Sequence, residues 1–269
     1  MLEMKKVTYA YEDDTIALKD ITMDLSKGNC IGVIGSNGAG KSTLFLNFAG
    51  ILKPKSGSVF FENTQMKYDK NSLRELRKKV SIVFQDPEKQ IFFSRVYDDV
   101  AFALRNLGIK EKEIKDRVEQ ALTSVNAKEF ADKPVHFLSH GQKKRVAIAG
   151  VIAMDSQVIF MDEPSAGLDP VATNSVEEII NNLSNQENRK VVISSHDMDL
   201  IYKVCDYVYV MDEGRIIAQG ITSEVFMMDE VLKMAGLVQP WLVKLHANMG
   251  YPLFKNEEEL YSYKKNDAL

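Results

Sequence analysis

The residues GSNGAGKST, from Gly35 to Thr43, carry the densest chemistry in the chain. They fit the spacing G-x-x-x-x-G-K-[ST], which a random chain of this length meets roughly one time in a hundred. Gly35, Gly38 and Gly40 let the backbone curl so that successive N–H groups face one point, a cradle for phosphate oxygens. Ser36, Asn37 and Ala39 complete the loop. A helix starting at Lys41 would add its positive dipole end. Lys41 is placed to reach the β- and γ-phosphates of a nucleotide, and Ser42, with Thr43 beside it, to offer a hydroxyl to Mg²⁺.

A second cluster lies in QVIFMDEP. An apolar strand ending in Asp162 would deliver one carboxylate to the metal's water shell. Glu163 would point to the opposite side if strand geometry persists, and is placed to polarise an attacking water. Two surface carboxylates closing a strand are common in α/β proteins, so the phosphate loop is what gives this pair its weight. His196, in VVISSHDMD, would alone read as a structural cap. Its place at the carboxyl end of the next strand favours a γ-phosphate contact. No group so far closes the far side of a triphosphate. FLSHGQKKR, Phe137 to Arg145, supplies that surface: Ser139, Gly141 and the N-terminus of a helix starting near Gln142. Two chains facing head to tail would each offer it to the other's nucleotide.

Positioning these groups takes an ordered set of elements. LEMKKVTYAY, ITMDLSKG and GSVFFEN read as antiparallel strands punctuated by Gly, Asp and Asn. CIGVIG is a buried strand leading into the loop, and KSTLFLNFAGIL is the helix after it. Between about Ser94 and Lys133, VYDDVAFALRNLG and EIKDRVEQALTSVN space their apolar residues as helices do. KKRVAIAGVIAM, QVIFMD, TNSVEEIINNLS and KVVISS then alternate helix and strand, which argues a parallel sheet covered by helices. YVYVMDEGRIIAQG reads as a hairpin turning near Glu213-Gly214. From about Ser223 the composition becomes mixed and charged.

The 269 residues are 45% hydrophobic with a net charge of −4, so a sizeable core is expected and no basic field attracts nucleic acid. No window reaches the roughly 20 unbroken apolar residues of a membrane span, and Met1 to Tyr11 shows no secretion pattern. Cys30 and Cys205 sit in apolar runs as reduced core residues of a cytosolic protein.

GSNGAGKST, Gln85 in VFQDP, LSHGQ, VIFMDEP, SAGLDP and His196 stand in the order found in the ATP-binding-cassette ATPases. The chain resembles that family over roughly Leu2 to Gly220. Within it, FQDPEKQIF, GQKKRVAIAG and the tail after Ser223 look like the ATPases of energy-coupling-factor transporters, cobalt-transport subunits among them. The resemblance implies an α/β P-loop NTPase core, mainly a parallel sheet with helices. An N-terminal antiparallel β-subdomain, a helical subdomain and a small C-terminal extension would complete it. The nucleotide-binding domain would span 1–222, with the helical subdomain at about 86–137, and 223–269 would be the extension, with an expected role in dimerisation.

Carried over by resemblance, Tyr11 stacks on adenine and Gln85 joins Mg²⁺ to the membrane-facing surface. Ser139, Gly141 and Gln142 bind the partner chain's γ-phosphate, and Asp169 of SAGLDP links the two sites. Lys41, Gln85, Glu163 and His196 form the catalytic set; Ser42, Gln85 and Asp162 form the metal set. The family's usual LSGGQ is LSHGQ here, with His140 at its third position. The implied activity is ATP hydrolysis with Mg²⁺ in a two-cassette sandwich, the second chain being identical or related. It would drive uptake of cobalt, nickel or a vitamin through integral membrane subunits at the cytoplasmic face of the cell membrane. A rival is a soluble cassette ATPase of translation or DNA. It would need a second motif set or a long coiled coil, and the sequence carries neither. Ile91, Phe92 and Phe93 are core in most soluble proteins, or here a docking face for an amphipathic membrane-subunit helix.

Overall fold

The protein is described by a computed structural model over residues 2–267. Alternating apolar and polar residues near the N-terminus make strands with one dry face. β1 (Leu2–Ala10) and β2 (Ile16–Asp24) pair antiparallel, with Met4 opposite Met23. β3 (Cys30–Ile34) leaves for a second sheet, and α1 (Lys41–Phe48) follows the glycine loop. β4 (Ser56–Phe61) returns to β1 and β5 (Thr64–Gln65) adds an edge, giving the order β2-β1-β4-β5.

α2 (Lys70–Lys79) and β6 (Val80–Val83) come next, a helix and a strand absent from the sequence reading. Asp69 starts α2 by accepting from the N–H groups of Asn71 and Ser72. The helical insertion is α3 (Val96–Asn106) and α4 (Glu111–Ser124), against which α5 (His140–Ala153) packs. Then follow β7 (Val158–Asp162), α6 (Pro170–Ser184), β8 (Lys190–Ser194), α7 (Met198–Val204), β9 (Tyr207–Asp212) and β10 (Arg215–Ile221). The second sheet has the order β10-β9-β3-β8-β7-β6. It is parallel apart from the β9–β10 hairpin, which turns where the sequence places it. α8 (Thr222–Phe226), α9 (Asp229–Met234), α10 (Trp241–Met249) and α11 (Glu257–Asp267) form the extension.

Strand alternation divides the interior into two cores. Ile31, Val33, Phe160 and Val192 pack with Phe45 and Phe48 of α1 and with Met4, Leu18 and Val59 of the first sheet. Cys30, Ile34, Ile159, Met161 and Ile193 face the other way, onto Val100, Leu104, Val118, Ile148 and Val176. Burying each large side chain stabilises by about 1.5–3 kcal/mol, so both faces of the parallel strands are fixed. Their carboxyl ends, at Ile34, Val83, Asp162 and Ser194, share one edge, the place where open α/β sheets bind ligands.

Cys30 and Cys205 are buried free thiols whose Sγ atoms lie 3.7 Å apart. The hydrogen bond between them, with burial, pushes the Cys30 thiol well up. The extension is part of the larger core through Leu237, Leu242, Val243, Phe254 and Leu260. Its Lys255 Nζ donates to the carbonyls of Tyr202 and Cys205, and a Cβ added at Gly236 would lie 3.6 Å from that of Ser36. Among the described residues no helix is long and apolar enough to cross a membrane.

Candidate functional site: a nucleotide cavity at the strand ends

The glycine loop leaves β3 and closes on the first turn of α1. Two of its glycines are sterically required. A Cβ on Gly35 would sit 2.3 Å from the Met211 carbonyl oxygen, and one on Gly40, at φ 102°, 2.6 Å from that of Ala17. Lys41 Nζ is turned back onto the loop, donating to the carbonyls of Gly35 (2.7 Å) and Ser36 (3.1 Å). Burial lowers its affinity for the proton, while the Glu163 and Asp162 charges oppose that shift. The ammonium is thus held at the loop by weak acceptors that phosphate oxygens would replace with stronger, charged ones.

Asn37, Gly38, Gly40, Lys41, Ser42, Thr43, Tyr11, Gln85, Asp162, Glu163 and His196 line one cavity of about 470 Å³. Gly35 and Ala39 are buried beneath the loop and Ser36 is half-buried within it. One expectation is corrected here. Glu163 does not face away from Asp162, because β7 ends at Asp162 and the chain turns at Glu163, φ 46°. Both carboxylates therefore open onto the same cavity. The Glu163 N–H donates to the Ser194 carbonyl (3.0 Å), and the Ser194 hydroxyl donates to Asp162 Oδ1, so the end of β8 positions both acids. His196 Nδ1 lies 2.8 Å from Glu163 Oε2, and its backbone N–H points at the same oxygen (3.4 Å).

Tyr11 stands at the outer wall with its hydroxyl 2.6 Å from Thr43 Oγ1 and its ring edge-on to Tyr9. Thr15, Ile16 and Ala17 line the same wall and were not singled out by the sequence. Ser42, Gln85 and Asp162 supply a hydroxyl, an amide oxygen and one carboxylate to the cavity. That all-oxygen, carboxylate-poor set fits Mg²⁺, which keeps several waters and takes further oxygens from phosphate. Among the described residues no group of three or more His, Cys, Asp or Glu side chains forms a metal cage of its own.

Ser139, Gly141, Gln142 and Asp169 do not line this cavity. The helix they introduce starts earlier than expected, at His140, with Ser139 as its cap. The Ser139 hydroxyl accepts from the Gln142 N–H and the Gln142 amide oxygen accepts from the Ser139 N–H, a reciprocal capping box. Asp169 caps α6 by accepting from the Ala172 N–H (2.9 Å). The His140 ring lies against Gly167, where an added Cβ would meet Nε2 at 3.4 Å. Each of these residues thus has a local role in its own chain. Gly141 does not: a Cβ there would meet only ordinary contacts, 3.4 Å to Leu168 and 3.8 Å to Ala172. A glycine in a helix is less favourable than alanine, and the space around Gly141 does not call for one.

Lys144 escaped the sequence reading. It is fully buried, and its Nζ donates to the carbonyls of Gln85 (2.6 Å), Glu163 (3.2 Å) and Phe84 (3.3 Å). Burial pushes its pKa down to about 8, against the pull of Asp162, Glu163 and Asp86. Helical spacing was the available signal: Lys144, Ala147, Ile148 and Val151 lie on one stripe, and all four are buried.

A phosphate loop on a parallel sheet, flanked by an antiparallel sheet and a helical insertion that ends in a capped LSHGQ turn, defines a cassette-type ATPase. Residues 18–166 match the profile of the ABC transporter family, and the chain belongs to that family. It is 47% identical to the cobalt import ATP-binding protein CbiO of Salmonella typhimurium, over 97% of this chain and 96% of that protein. It is 43% identical to the energy-coupling factor transporter ATP-binding protein EcfA3 of Clostridium perfringens, over 89% of this chain and 84% of that protein. Among solved structures, CbiO1 of Clostridium perfringens, part of the ABC transporter complex cbiONQ, superposes with a TM-score of 0.78 at 41% identity. The match covers 93% of this chain and 95% of that one. The family and the fold expected from the sequence are borne out.

Proposed function

We propose that the chain is the ATP-hydrolysing subunit of an energy-coupling-factor importer, working as one of two facing cassettes. The observation that carries this reading is the division of the site. The phosphate loop, Asp162, Glu163 and His196 share one cavity, while Ser139, Gly141 and Gln142 stand half-buried or exposed outside it. The unexplained glycine at 141 marks a surface kept low for an approaching group, here the γ-phosphate bound to the partner chain. In that arrangement the glycine loop and Lys41 bind the phosphates, Tyr11 flanks the adenine, and Glu163 polarises the attacking water. His196, in contact with Glu163 Oε2, meets the γ-phosphate in this reading. Mg²⁺, when bound, supplies charge neutralisation of the phosphates, and Ser42, Gln85 and Asp162 are the residues to hold it. Asp169 and His140 belong to the facing surface.

Import is supported by an apolar groove of about 270 Å³ beside the Gln85 loop, bordered by Ile82, Gln90, Phe92, Phe102, Ala147 and Met154. Phe92 is 76% and Phe93 39% exposed, so these side chains are a surface and not core. The groove supports docking of an amphipathic helix from a membrane subunit, a reading in which the chain works peripherally at the cytoplasmic face of the cell membrane. The solute is a transition-metal ion (cobalt or nickel) or a vitamin, and the similarity to CbiO favours the metal ion. The division of the site is tested by mixing a Lys41→Ala chain with a Ser139→Arg chain. One composite site then carries both defects and the other neither, and hydrolysis absent from each variant alone returns in the mixture. No recovery in confirmed mixed pairs would show that each chain completes its own site.

A further inference from the structure

Lys144 is the only lysine among the described residues with no solvent-exposed surface, and none of its hydrogen bonds goes to a carboxylate. An ammonium has three N–H donors, and three backbone carbonyls meet them. Those carbonyls belong to the loop carrying Gln85 and to Glu163 itself. Taking an ammonium out of water carries a desolvation cost that an apolar side chain does not, so its presence here calls for a role for its three directed bonds.

The Glu163 peptide is where the bond matters. Glu163 has φ 46°, a left-handed conformation that is strained for a non-glycine residue and persists only where its surroundings impose it. Its N–H is pinned to the Ser194 carbonyl (3.0 Å) and its carbonyl to Lys144 Nζ (3.2 Å). This turn brings the Glu163 carboxylate into the cavity beside Asp162 and under His196. The same ammonium grips Gln85, and α5 grips the rest of that loop through the Lys143–Glu88 ion pair and the Gln90 amide, which donates to the Ala147 carbonyl.

We infer that Lys144 is a positioning residue: its ammonium locks the Glu163 and Gln85 backbones to α5, setting the Glu163 carboxylate at the angle that polarises water. This rests on Glu163 acting as the base. It makes the geometry of the hydrolytic site depend on α5, whose first turn carries Ser139.

The test compares Lys144→Met and Lys144→Gln with the parent, alone and combined with Glu163→Gln, in steady-state hydrolysis with thermal unfolding as the folding check. Lys144→Met leaves three carbonyls unpaired and should lower kcat by about 10–100-fold, the scale of a small misplacement of a catalytic group. KM for ATP should change by less than about threefold, because the glycine loop and Lys41 are untouched. Lys144→Gln, with two N–H donors, should recover part of the rate. On the Glu163→Gln background the Lys144→Met change should cost little more, since the group it positions is gone. An equal loss on both backgrounds, a rise in KM at unchanged kcat, or two variants that both fail to fold would each overturn the inference. If Glu163→Gln alone keeps parental turnover, the base assignment falls. If it loses turnover while Lys144→Met keeps its kcat, only the role of Lys144 falls.

Discussion

Phe92→Asp separates docking from folding. Phe92 is 76% exposed in the isolated chain, and its backbone N–H donates to Asp99 Oδ1 (2.8 Å), as does that of Phe93 (3.0 Å). The loop is therefore held by backbone N–H groups bonded to the Asp99 carboxylate, donors that the substitution leaves in place, and the folded chain has little side-chain packing to lose. An aromatic side chain buries about 150–250 Å². With three-quarters of that open here, covering Phe92 with a partner helix stabilises the complex by about 1–2 kcal/mol, that share of the full-burial value. Removing it should weaken association about 5–50-fold through lost burial alone. A carboxylate left in an apolar groove weakens it further. The assay is co-purification of the tagged chain with its membrane subunits, alongside a melting curve and nucleotide binding. The expected variant melts like the parent, binds ATP and comes out alone. Misfolding would return Phe92 to the core, and retained membrane subunits would refute the groove as the docking face.

Two further substitutions probe the cavity. Lys41→Ala should weaken ATP binding at least tenfold, while apo-protein melting stays within a few degrees, because its hydrogen bonds are to two loop carbonyls and not to a charged partner; a nucleotide-induced thermal shift measures both. Gly40→Ala should destabilise by more than Gly38→Ala, because a Cβ meets the Ala17 oxygen at 2.6 Å in the first and nothing within 4 Å in the second. Left-handed strain of about 1 kcal/mol or more is common to both, so equal denaturant midpoints would contradict the steric reading.

Several features were legible because their signal is local. CIGVI reads as a doubly covered strand and is buried throughout; the hairpin turns at Glu213-Gly214; the spacing of Lys41, Ser42 and Thr43 follows from the loop. Other features depend on contacts distant in sequence. α2 and β6 were missed because RELRKKV has one buried side chain in the helix, Leu76, and too short an apolar run after it. The orientation of Glu163 was misjudged because period-2 alternation stops at Asp162, where the Ser194 carbonyl and Lys144 take over the backbone. His140 is where LSHGQ departs from the pattern it resembles, and only the fold shows its ring against Gly167.

The placement of α5 bears on how the site answers to its surroundings. Its first turn carries Ser139, Gly141 and Gln142; its second holds Lys144 against Gln85 and Glu163; its later turns present Ala147, Gly150, Val151 and Met154 to the Phe92 groove. At 1.5 Å per residue such a helix spans about 20 Å, enough to touch all three places at once. A partner nucleotide drawing on Ser139 and a membrane helix pressing the groove would therefore act on one lever. The lever's only charged fastening to the Glu163 backbone among the described residues is Lys144. Coupling of this kind needs no chain of side-chain adjustments, because a packed helix with two docked positions can transmit the displacement directly. It also gives the buried ammonium a role: three directed bonds fix the distance between helix and catalytic backbone, which apolar contact alone does not.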